Sequence, residues 1–245
     1  MERSHIIFTG GSGLLGTAFQ KIEPEILYPS SADFDILNYD RMQMYAEAAG
    51  CEMIIHAAAD TNVLGIQLDP INALEVNIMG TANVVKLCES LQADLIYISS
   101  DYVFKGDRGD YKEGDELLPF NRYGWSKLGG ECAVRMYNRG LIVRTSFGPL
   151  EFPHQKAFVD QWTSKITVTK FASYLSMLID KRIRGVLHIA GERKTVMEYA
   201  QSVNPARQFG ELSIKEIVLP LPTDTSLNSD DWDEGRIDCK LGVSE

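Results

Sequence analysis

A short apolar run, HIIF at residues 5–8, is followed at once by TGGSGLLG and then by TAFQKI, whose composition is helical. A buried strand that turns directly into a helix leaves few architectures open, and the first among them is a parallel strand-turn-helix unit. Gly10, Gly13 and Gly16 stand at the spacing G-x-x-G-x-x-G. The first glycine permits the tight turn, the second lets the backbone approach a pyrophosphate, and the third lets the helix pack close to the strand. The free amides at the helix start, where Leu14 and Leu15 stand, then face the phosphates. Glycine triplets also occur in bland flexible turns. It is the placement between a terminal strand and a helix that favours a dinucleotide.

The rest of the chain repeats the alternation. A second short apolar run, 26–28, ends in Pro29-Ser30-Ser31, where an acidic residue that binds the adenosine ribose of NAD is usual. Asp33 and Asp35 then alternate with apolar positions before a helix over 40–49. Two readings stand open there: a solvated turn, or Asp35 and Ile36 against an adenine ring. MIIHAAA (53–59) is the third strand, and Ala57, Ala58 and Ala59 at its carboxyl end leave room for a flat ligand. His56, inside that run, reads as a hydrogen-bonded core histidine. Residues 70–91 carry a long helical pattern, interrupted at Asn77, whose amide must either bond neighbouring backbone or shape the site. Strands follow at 95–98 and 141–145, with a loop rich in Gly, Asp, Glu and Pro at 105–120 and a helix running to about residue 137. The expected fold is therefore α/β, a Rossmann-type doubly wound parallel sheet.

Beyond Ser146 the periodicity weakens, as expected of an irregular lobe. The division expected is a dinucleotide-binding domain over 1–150, with 184–191 returning to its sheet, and a small, shortened C-terminal substrate lobe over 151–183 and 192–245. Helices are expected at 171–179 and 195–203 and a buried strand at Gly185–Ile189, and the acidic, turn-rich tail from Pro220 reads as a solvated end.

Charge and cysteine usage narrow the function. With 24 basic and 34 acidic residues the net charge is −10, which argues against nucleic acid or an anionic membrane as the main partner. Cys51, Cys88, Cys132 and Cys239 show neither CxxC nor Cys/His metal spacing and read as reduced packing residues. Such cysteines favour a cytoplasmic setting, and with neither a signal-peptide pattern nor eighteen consecutive apolar residues in the sequence, no signal peptide and no membrane span are expected.

The chemistry concentrates in YISSDYVFKG and NRYGWSK, within 97–127. A serine pair closes a strand, and Tyr123 and Lys127 at i and i+4 share one helical face. That is the pattern of a carbonyl-reducing acid with its activator. TGGSGLLG, HAAADTNV, EVNIMGTANV, YISSDYVFKG, NRYGWSKLGGE and LIVRTS occur in an order and at intervals that resemble the extended short-chain dehydrogenase/reductases, and within them the dTDP-4-dehydrorhamnose reductase branch.

The resemblance implies Tyr123 as general acid, Lys127 as its partner, Ser100 as the group bonding the substrate carbonyl, and Asp101 beside it near nicotinamide or substrate. A tyrosine titrates near ~10, and a neighbouring ammonium is expected to favour its phenolate. Tyr123 and Lys127 would also touch the cofactor, NADPH or NADH, with NADPH favoured by the missing strand-end carboxylate and by Ser30 and Ser31. The implied partner is a nucleotide-linked 4-keto-6-deoxy sugar; oligomeric state is open, with a homodimer allowed. Tyr102 after Asp101 departs from the acidic pair of the sugar dehydratases, and none of the cysteines stands where the epimerase-reductases place one. Departures from the branch itself fall on the substrate side: a short 146–170 segment, Leu64-Gly65-Ile66 in place of an acidic residue, and Thr223-Asp224-Thr225 in place of an arginine. Lys156, Gln161 and Lys165 read more as ordinary surface than as diphosphate contacts. The competing function is a non-catalytic, dinucleotide-binding regulatory subunit like that of methionine adenosyltransferase, which resembles the same branch.

Overall fold

The computed structural model describes residues 2–232; Cys239 and the end of the acidic tail lie outside the described residues. Five parallel strands form the central sheet: β1 (Ile6–Thr9), β2 (Met53–His56), β3 (Asp94–Ile98), β4 (Gly140–Thr145) and β5 (Gly185–Ile189), in that spatial order. Strands buried on both faces need apolar residues at both parities, and these have them. Ile6, Phe8, Met53, Ile55, Ile96, Ile98, Leu141 and Val143 fill the core on one face. Their sequence neighbours Ile7, Ile54, Leu95, Tyr97 and Ile142 fill the core on the other. The alternation follows from side chains of a strand pointing to opposite faces.

Helices cover each face. On the first, α1 (Leu14–Phe19) packs with α7 (Val168–Ile179), whose Phe171, Ala172, Leu175, Leu178 and Ile179 join the sheet core. The expected division places this helix in the lobe; its apolar stripe instead continues the first sheet face. On the second face lie α2 (Tyr39–Ala48), α5 (Thr81–Leu91) and α6 (Arg122–Arg135). The helical pattern before α5 consists of α4 (Ile71–Ala73) and a π-helical stretch, Leu74–Gly80, that holds Asn77. A short α3 (Val63–Leu68), capped by Asn62, precedes them.

The expected second strand is reduced to one bridge. Phe8 N donates to Leu27 O (2.8 Å) and Leu27 N to Ile6 O (2.9 Å), flanking β1 on the side away from β2. Pro29 follows within two residues and cannot donate to a ladder, so pairing stops there. The chain nevertheless steps outward from β1 and returns across it to β2, which opens a crevice at the carboxyl ends of these strands.

Beyond β4 stand three two-stranded ladders: Phe147–Gly148 with Ile166–Thr167, Lys156–Phe158 with Gly210–Leu212, and Trp162–Thr163 with Lys194–Thr195. Helix α8 (Val196–Val203) begins with a reciprocal capping box between Thr195 and Glu198 and buries Tyr199 and Ala200 against Phe152 and Ala157. Among the described residues, no helix is long and apolar enough to cross a membrane. The tail corrects the expectation of a solvated end, since Asp224, Thr225, Ser226 and Leu227 are all buried. Polar burial is tolerated because each group is bonded: Asp224 accepts from Ser226 N and Oγ (3.0 and 2.7 Å) and pairs with Arg193 (2.7 Å), whose guanidinium lies 3.8 Å from the Trp162 ring centre.

Candidate active site

A cleft of about 400 Å³ runs over the carboxyl ends of β1 to β4. At one end its wall is Gly10, Gly13, Leu14 and Leu15, and past β2 it is Ala57 and Ala59. Gly10 takes φ +79°, and a Cβ there would stand 2.9 Å from the Ala58 backbone. At Gly13 a Cβ would meet Gly10 O at 3.2 Å, and at Gly16 it would lie 2.4 Å from Gly11 O. Gly16 thus sits behind the cleft, where α1 presses on the turn, and Ala58 is the backbone that the turn touches. The cradle is one that a side chain would fill, as backbone approach to a pyrophosphate requires.

Asp35 and Ile36 are not in this wall. Asp35 Oδ1 accepts from Leu37 N at 2.9 Å, which closes a local turn, and Ile36 is buried in the core with its Cδ1 against Gly80. Ser30 is exposed and donates its hydroxyl to Asp33 Oδ2 (2.6 Å).

Ser99, Ser100, Asp101, Tyr102, Tyr123 and Lys127 line the middle of the cleft. The serines and Asp101 follow β3; Tyr123 and Lys127 stand one turn apart in α6, whose start is fixed by Asn121 accepting from Gly124 N (2.9 Å). Ser100 Oγ donates to Asp101 Oδ1 (3.0 Å) and accepts from Tyr102 N (3.1 Å). Burial pushes Tyr123 up to about 12, with Asp101 and Asp60 adding to the rise and a hydrogen bond with Ser100 opposing it. Lys127 is buried; its Nζ donates to Ile98 O (2.9 Å) and lies 4.3 Å from the Tyr97 ring centre. Burial pulls this ammonium down to about 7, against Glu131, which raises it. The expected lowering of the tyrosine by its lysine is therefore corrected: burial drives both groups toward their neutral forms, and the lysine faces a carbonyl. A neutral phenol is the form that can donate a proton.

Behind these residues is a sealed ionic cluster. Glu131 receives Ser99 Oγ (2.6 Å) and both arms of Arg144 (2.9 and 2.8 Å), and neither side chain of the ion pair is exposed. Arg144 Nη1 also donates to Glu113 O (3.1 Å). On the adjoining side His56 is a core histidine, as expected, held by Thr9 (2.8 Å) and Thr81 (3.0 Å) and kept neutral by burial, which lowers it to about 3. Asn77 resolves to a scaffold amide: it accepts from Asp60 N (2.7 Å) and donates to Asp60 O (2.9 Å) and Ser126 Oγ (2.8 Å). It ties the loop after β2 to α6.

The far end of the cleft holds what sequence reasoning missed. Thr145, Ser146, Phe147 and Lys165 line it. Lys165 is only partly exposed, in contrast to its reading as surface, whereas Lys156 is exposed and Gln161 is buried, donating to Pro222 O (3.1 Å). Thr225, from the docked tail, donates to Asp101 Oδ2 at 2.6 Å. Asp101 is buried and its carboxyl is raised by that burial, although Thr225, Lys165 and Ser100 all hold it down. Cys51 and Cys88 are buried free thiols as expected, while Cys132 is a free thiol on the surface and not a core residue.

A family model described as the RmlD substrate binding domain matches residues 4–159. The chain is similar to the crystal structure of dTDP-4-dehydrorhamnose reductase from Bacillus anthracis str. Ames in complex with NADP, with a TM-score of 0.85 and 27% identity, over 94% of this chain and 92% of that one. It is also similar to methionine adenosyltransferase 2 subunit beta of Rattus norvegicus, 28% identical over 238 residues, 82% of this chain and 71% of that protein. dTDP-4-dehydrorhamnose reductase of Mycolicibacterium smegmatis is 35% identical over 135 residues, 53% of this chain and 41% of that protein.

Proposed function

Because the chain belongs to the RmlD substrate binding domain family, we propose that it is an NADPH-dependent reductase of a nucleotide-linked 4-keto-6-deoxy sugar. The observation that carries the reading is the convergence of Ser100, Tyr123 and Lys127 on one cleft whose other end is the glycine cradle. The cradle fits a dinucleotide pyrophosphate, and the small residues Ala57 and Ala59 leave its path across β2 open. When bound, the cofactor supplies a hydride to the keto carbon. Ser100 Oγ turns from Asp101 to donate to the carbonyl oxygen, and Tyr123 Oη delivers the proton that the developing alkoxide takes up. Lys127, where protonated, stabilises that negative charge. The likeness to a reductase crystallised in complex with NADP supports NADPH over NADH.

A second reading, a dinucleotide-binding regulatory subunit, is favoured by one observation. The tail places Thr225 on Asp101, so the lobe closes onto the residue next to Ser100. Purified protein mixed with NADPH and a panel of nucleotide 4-keto sugars separates the two. Loss of NADPH absorbance with any of them supports the reductase; tight NADPH binding with no turnover on the whole panel overturns it in favour of the regulatory subunit.

A further inference from the structure

A second cleft, of about 380 Å³, lies between the start of α7 and α8 and shares Lys165 with the catalytic one. Lys165, Lys170 and Lys194 stand in its wall beside the hydroxyl-bearing Thr167 and Tyr199, and Glu192 is the one carboxylate there. Among the described residues none of these three lysines has an ion-pair partner within 4.0 Å. In a chain of net charge −10 the wall itself reverses sign, three lysines against Glu192, with Glu198 on α8 acting on Lys194 from outside it. Lys165 is the most telling of them. It is partly buried, burial lowers it, and Asp101, across in the catalytic cleft, is the charge that holds it up. Burial disfavours that charge, and an anion seated in the cleft would restore it.

The chemistry of the donors selects the anion. Lysines act as point charges and carry no planar fork to match a single carboxylate, which is the geometry arginine supplies. Several of them around one cavity suit a group with more than one negative charge. Thr167 also caps α7, so the positive end of a twelve-residue helix adds to the same field.

We propose that this cleft binds the phosphate or diphosphate group of a small molecule, at a site separate from the dinucleotide cleft and joined to it through Lys165. The inference does not rest on the reductase reading.

Isothermal titration with inorganic pyrophosphate, on full-length protein saturated with NADP⁺, tests it. Saturable binding is expected, weakening as salt is raised and falling at least tenfold in Lys170→Gln/Lys194→Gln. Lys170→Arg/Lys194→Arg, which keeps the charge, should retain most of it. Thermal midpoints without ligand check that the variants fold. Absence of saturable binding overturns the proposal. So does binding that the glutamine pair leaves unchanged, or that disappears under NADP⁺ and ignores the lysines, since the anion then sits on the glycine turn. Because the lysine variants separate these outcomes, the test holds whether or not the chain binds NADP⁺.

Discussion

Glu131→Gln removes one charge from the sealed cluster while keeping the side chain's shape. In the native chain that carboxylate accepts Ser99 Oγ at 2.6 Å and two arms of Arg144 at 2.9 and 2.8 Å, with no exposure on either side of the ion pair. The substitution leaves the Arg144 guanidinium in the interior with neutral partners, a change that costs about 3–5 kcal/mol when one member of a buried pair is lost. At roughly 2–4 °C per kcal/mol for a domain of this size, the thermal midpoint should fall by about 6–20 °C. The doubly apolar Glu131→Leu/Arg144→Met should fall by less than the sum of its single variants, because neither charge is then stranded. Calorimetry at neutral pH reads both. A midpoint within about 2 °C of wild type for Glu131→Gln would refute the claim that this pair is sealed from water.

Three further outcomes follow from the site. Lys127 is held down to about 7, so its charged form is present below that pH and lost above it. If the ammonium stabilises the alkoxide, kcat/KM for reduction should bend downward near pH 7 and keep falling, and a flat profile over about pH 6–9 would contradict its role. Thr225→Val deprives Asp101 Oδ2 of its 2.6 Å donor. The carboxyl should titrate higher still and the fold should lose about 1–3 kcal/mol in denaturant melts; an unchanged midpoint would mean that the tail does not dock there. Asn77→Ala leaves the Asp60 amide and carbonyl without their 2.7 and 2.9 Å partners. A similar loss of stability is expected, with weaker NADPH binding because the loop after β2 is no longer tied to α6, and unaltered affinity would reduce Asn77 to a purely structural residue.

The parts legible in sequence are those where periodicity or glycine geometry leaves little freedom. The glycine turn, the strands around Ile7, Ile54, Ile96 and Ile142, and the shared helical face of Tyr123 and Lys127 all follow from local pattern. What escaped depends on distance in sequence. Helix α7 is placed by apolar packing onto α1, more than a hundred residues away, and nothing in its own pattern tells a lobe helix from a sheet helix. The tail looks solvated because Asp224, Thr225 and Ser226 are polar; it is buried because Arg193, Asp101 and one another satisfy it. The direction of the Tyr123 shift escaped for a related reason. The i, i+4 spacing brings lysine and tyrosine onto one face, but burial, and the Ile98 carbonyl that takes the ammonium, are set by β3.

Single-turnover reduction by Tyr123→Phe is the most direct test of the central claim that this phenol is the acid. With NADPH bound at saturating concentration and a nucleotide 4-keto sugar that the wild type reduces, the variant should transfer hydride at least about 10²-fold more slowly, the usual worth of a positioned general acid. Undiminished hydride transfer in Tyr123→Phe would contradict it.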